Sequence, residues 1–97
     1  MEDMNRKTMR YPKLEQTITA AGFMLENKPD EIAEGSAQRI EMNLSKMRDL
    51  DRKIKMIPYD AGSDEADRAN DEKYTGLEKQ ADELIRETSD LLWPKQG

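Results

Sequence analysis

Pro58-Tyr59-Asp60-Ala61-Gly62-Ser63 is the densest turn signal in the chain, and it separates two long stretches whose apolar residues recur at helical spacing. Before it run Ala33, Ala37, Ile40, Leu44, Met47 and Ile54, with Asp51 where an apolar residue is due and with Leu50 and Ile57 alongside. After it run Asn70, Tyr74, Leu77, Ala81, Leu84, Thr88 and Leu91, flanked by Ile85 and Leu92. Alternating steps of four and three keep each set on one helical face. Two such helices joined by a short turn pack antiparallel, so the stretch predicts a helical hairpin.

With the fold-back centred near Asp60, residues whose numbers add to about 121 face each other. This register sets Met47 against Tyr74, Leu44 against Leu77, Ile40 against Ala81 and Ala37 against Leu84, and it places Ser45 beside Gly76 for a close backbone approach. Toward the turn the match fails, because Ile54 and Ile57 would face Asp67 and Asp64.

Further out, Pro12 suits the first turn of a helix over 12–27, whose face is marked by Leu14, Ile18, Ala21 and Leu25. Asn27 is placed to end it in the left-handed conformation. Pro29 bars its continuation and opens a second helix over about 29–57, with Asp30 and Glu31 at the positive end of the dipole. Ser63 is the expected N-cap of a third helix over 63–93, with Asp64, Glu65 and Asp67 in its first turn and Pro94 closing it. Residues 1–11 read as a flexible arm with a small basic cluster (Arg6, Lys7, Arg10 and neighbouring Lys13), and 94–97 as a disordered tail.

A tight link between the first two helices brings Gly22 opposite Gly35, where a close crossing offsets the ~1 kcal/mol that glycine costs inside a helix. At ~1.5 Å per residue the first helix covers only about half the hairpin. It is expected over the open end, against Ala33, Ala37, Leu84, Ile85, Leu91 and Trp93, with Phe23 and Trp93 as core anchors. The fold class is therefore all-α: a long antiparallel, coiled-coil-like helical hairpin with a shorter N-terminal helix on its open end, a three-helix bundle forming one domain over 12–93.

The chain has 97 residues, 38% charged and 35% apolar, a balance suited to one exposed helical domain with a modest core. Histidine and cysteine are absent, which removes the commonest general base, the usual nucleophile pairs, disulfides and thiolate metal sites. Gly62 stands alone, so there is no phosphate loop. The expectation is a non-enzymatic protein with no cofactor and no metal. Glu78 with Asp82 and Glu83 with Glu87 lie off the apolar stripe and read as a solvated face, and Asp60, Asp64 and Asp67 lack the register of a calcium loop. No apolar run approaches the ~20 residues that span a bilayer, and the polar start is not a signal peptide, so a soluble cytoplasmic protein without membrane contact is expected.

Charge is unevenly spread. Residues 1–57 hold ten acids and eleven bases, whereas 60–90 hold eleven acids and four bases. A strongly basic face for duplex DNA is missing, so direct nucleic-acid binding ranks last. Leu50, Ile54, Met56, Ile57 and Tyr59 carry more apolar surface than the acidic start of the third helix covers, and uncovered apolar patches mark association sites. These five are the candidate contact residues for a protein partner or a second copy of the chain. The competing reading has residues 58–70 folding back to bury them. The sequence thus points to a small acidic adaptor or inhibitor. The alternatives are an acidic decoy imitating nucleic acid and a homo-oligomeric coiled-coil module with a ligand between subunits.

Overall fold

Three α-helices make up the bundle in the computed structural model, which describes residues 8–60 and 62–93. They are α1 (Pro12–Asn27), α2 (Ser36–Lys55) and α3 (Asp64–Leu92), with a short 3-10 turn at Pro29–Glu31. Each helix packs on the other two, and the molecule is 49 Å long. No strand occurs among the described residues; one isolated antiparallel bridge joins Thr8 to Pro58. No helix among them is long and apolar enough to cross a membrane. Arg6, Lys7, Pro94 and the tail lie outside the described residues.

The ends of α1 and α3 fall where local chemistry sets them. Pro12 occupies the first turn of α1. Asn27 is the last helical residue of α1, but it does not turn left-handed; its side-chain amide donates to the Phe23 carbonyl at 3.1 Å. Ser63 caps α3, its hydroxyl accepting the Ala66 N–H at 3.2 Å, and Asp64, Glu65 and Asp67 occupy the first turn. Gly62 takes φ 90, and its N–H is held by the Asp60 carboxylate at 3.0 Å, so the turn closes on an Asx contact directly before the cap.

The second helix starts later than expected, at Ser36 rather than Pro29. Ile32 leaves the 3-10 turn extended and is buried in the core. Ser36 N–H then bonds to the Ala33 carbonyl at 2.9 Å, closing a four-residue turn whose third residue, Gly35, sits at φ 89. That φ favours glycine and ends any helix run through 29–35. The helix therefore gives up two turns so that Ile32 can be buried. Gly35 has nothing within 4 Å of where a Cβ would stand, and Gly22 meets the Arg48 guanidinium instead, so the expected glycine crossing does not form.

The α2–α3 register is displaced by more than a helical turn from the expected one. Arg39 bonds to Glu87 instead of lying beside Asp82, and Ser45, Asp49, Leu50 and Lys53 share a surface hollow with Gln80 and Leu84. Gly76 has open space around it, not Ser45. The displacement removes the mismatch at the turn. Ile57 now lies near Tyr74, since Ile57 bonds to Met9 and Tyr74 bonds to the adjacent Arg10. Length makes this possible: α3 has 29 residues against 20 in α2, so its first turns overhang.

Ile40, Met47 and Ile54 of α2, Leu14 and Ala21 of α1 and Ala81 of α3 are completely buried and form one core. Burying each large apolar side chain contributes roughly 1.5–3 kcal/mol. Two polar residues share that interior: Thr88 and Asn43 are buried, and neither Thr88 Oγ1 nor Asn43 Nδ2 makes a hydrogen bond of ordinary geometry.

Candidate binding surfaces

The five residues singled out from sequence separate in the structure. Leu50, Ile54 and Ile57 are buried, whereas Met56 (75% exposed) and Tyr59 (63%) face outward. The cluster is thus covered rather than open. Part of that cover is the segment just before α1, whose Met9 and Tyr11 pack on the core, together with α1, whose Leu14 lies in the same cluster as Leu50 and Ile54. Helix α1 runs antiparallel to α2 alongside its C-terminal half, with Glu15 paired to Lys55 and Gly22 against Arg48. Its start therefore lies at the tip, the end that its length was expected to leave bare.

Residues 8–11 form a strap over that tip. Met9 N–H donates to the Ile57 carbonyl at 2.9 Å, and the Tyr74 hydroxyl donates to the Arg10 carbonyl at 3.1 Å. The Tyr11 hydroxyl donates to the Asp82 carboxylate. Met9 and Tyr11 are half-buried against the core. Around the strap runs a ring of charge: Arg10 to Glu15 at 2.8 Å, Glu15 to Lys55 at 3.5 Å, and Lys55 to Asp51 at 2.9 Å. The second oxygen of Asp51, Oδ1, is buried without a partner.

This ring and the two tyrosines set the local titration. The hydrogen bond from Arg10 holds the Glu15 carboxyl below its ordinary value, and the Asp51 carboxylate raises Lys55. Burial, and then the Asp82 hydrogen bond, push the Tyr11 phenol well above its ordinary value; burial also raises Tyr74. Asp82 and Glu87, read from sequence as solvated, are both engaged across helices, Glu87 held below its ordinary value by the Arg39 guanidinium.

The strap is weakly held. The hydrogen bonds to Ile57, Tyr74 and Asp82 contribute about 0.5–1.5 kcal/mol each, the exposed Arg10–Glu15 pair about 0–1 kcal/mol, and half-burial of Met9 and Tyr11 about 1 kcal/mol each. Ordering four residues costs about 1–2 kcal/mol each. The two sides agree within a few kcal/mol, which puts the strap among the segments that open locally before the bundle unfolds.

A second surface runs along the length of α1. Phe23 (52% exposed) and Trp93 (55%), expected in the core, stand outside it. With Gln16, Thr19, Ala20, Met24, Lys28 and Glu31 they line an open hollow of about 690 Å³ along the outer face of α1. Trp93 follows the last residue of α3, buried Leu92, and its side chain lies outside the core.

Among the described residues no group of three or more His, Cys, Asp or Glu side chains converges to hold a metal ion. Comparisons with protein families, with characterised proteins and with solved structures find no match.

Proposed function

We propose that this chain is a small non-enzymatic helical protein that binds and modulates a larger protein partner, as an adaptor or inhibitor, and that it docks along the outer face of α1. One observation carries the reading. Two half-exposed aromatics, Phe23 of α1 and Trp93 at the end of α3, flank a single apolar hollow. Aromatic side chains that project beside a hollow are the residue type that dominates binding energy, because they bring large area at small entropic cost. The hollow follows α1 from Glu15 to Lys28, a length of ~20 Å, which suits an amphipathic helix laid alongside.

The test is affinity capture from the native cell lysate with wild-type protein and with the double substitution Phe23→Ser, Trp93→Ser. Both side chains are exposed, so the variant keeps the fold and loses the partner. Equal recovery of every captured protein by the two forms would reject the docking face.

A second reading, an acidic decoy, draws support from the overhang of α3, where Asp64, Glu65, Asp71 and Glu72 are exposed. Salt separates the two. Binding through carboxylates weakens steeply as ionic strength rises, and binding through the aromatic hollow does not.

A further inference from the structure

The tip of the bundle holds a bound peptide, and the peptide is part of the same chain. Thr8 to Tyr11 lie outside every helix, in extended pairing with the loop after α2. Apart from the Tyr11 carbonyl, which accepts the Leu14 and Glu15 N–H groups at the start of α1, every attachment they make is of a kind that a separate peptide can make. The Ile57 carbonyl takes a backbone N–H, the Tyr74 hydroxyl gives a hydrogen bond to a backbone carbonyl, and the Asp82 carboxylate takes a hydroxyl. Glu15 takes the guanidinium of Arg10, and the apolar core that includes buried Ile54 takes Met9.

We infer that this cleft is a recognition site for an extended segment of another protein, with an apolar residue, then a basic one, then a hydroxylated aromatic, and that residues 8–11 occupy it in cis as an autoinhibitory stand-in. The occupant's chemistry is read from the strap itself. Its apolar residue packs on the core while its backbone pairs with the loop after α2, as in strand addition to an open edge. Its base meets Glu15, and its aromatic hydroxyl reaches Asp82. Because the strap is tethered beside its seat, its effective concentration is high, and a free segment binds the intact chain only as often as the strap is off. The device keeps an apolar tip covered until a matching segment arrives. This site meets the Phe23–Trp93 hollow only at Glu15 and stands or falls without Phe23 and Trp93.

The experiment uses a fluorescein-labelled peptide Thr-Met-Arg-Tyr-Pro-Lys, the sequence of residues 8–13, and the full chain. Met9→Asp frees the cleft by placing a carboxylate on the apolar seat, and it lies outside the helices. By fluorescence anisotropy the peptide binds the Met9→Asp chain roughly ten-fold more tightly than wild type, as removal of a tethered competitor requires. Adding Tyr74→Phe to that chain weakens the peptide several-fold, and a peptide with Asp in place of Met does not bind. Phe23→Ser leaves all of this unchanged, which separates this site from the docking face on α1. Should Met9→Asp lose helicity by circular dichroism, Met9→Ala replaces it under the same criterion. Equal peptide affinity for wild type and the strap variant, or no binding to a strap variant of full helicity, would overturn the inference.

Discussion

Thr88→Val stabilises this protein. Thr88 is completely buried in the bundle, and its Oγ1 makes no hydrogen bond. A hydroxyl in that position has lost its water and gained nothing, at a cost of about 1–3 kcal/mol. Valine keeps the branched shape and similar helix propensity while removing the oxygen, so neither a cavity nor a change of rotamer opposes the gain. The expected effect is about 1–3 kcal/mol in favour of the folded state. For a domain of this size each kcal/mol moves the melting temperature by about 4–8 °C, so a rise of at least ~4 °C follows. Thermal melts followed by circular dichroism give the shift, and urea titration gives the free energy, with an unchanged m-value showing that the folded state is the one altered. An unchanged or lower melting temperature would mean that the hydroxyl has a partner, and the reading of Thr88 as a buried, unbonded hydroxyl would have to be abandoned.

Ile54→Ala costs about 2–5 kcal/mol because Ile54 is fully buried, whereas Met56→Ala, two residues on and 75% exposed, stays within about 0.5 kcal/mol. Comparable losses in urea titration would show that the tip is not layered as described. Burial raises the Tyr11 and Tyr74 phenols in the folded state, so what they contribute is complete below the ordinary phenol value of about 10 and fades as pH climbs through their raised values. In a phenolate absorbance titration Tyr11→Phe and Tyr74→Phe therefore each delete a late step; deletion of a step near ~10 would contradict the burial.

Much of this architecture is written in the spacing of apolar residues, which marks three helices and an antiparallel hairpin, and in local chemistry at Pro12 and Ser63. Register is not written there. An alternation of three and four repeats each turn, so sliding α3 along α2 preserves every stripe, and only the poor match of Ile54 and Ile57 with Asp67 and Asp64 hinted at the offset. The late start of α2 was signalled by Gly35, but a glycine in a helix costs only ~1 kcal/mol and does not by itself end one. The strap had no periodicity because four residues held outside any helix by individual hydrogen bonds need none. A Met-Arg-Tyr run before a proline, beside an uncovered apolar cluster, was the available clue.

Thr8 lies beside Pro58 at the tip, and Trp93 stands beside the hollow along α1 that contains Phe23. A reporter or solid support joined ahead of the strap therefore crowds the tip and leaves the aromatic hollow clear, while one joined behind α3 does the reverse. Immobilising the same protein first by one end and then by the other silences one surface at a time.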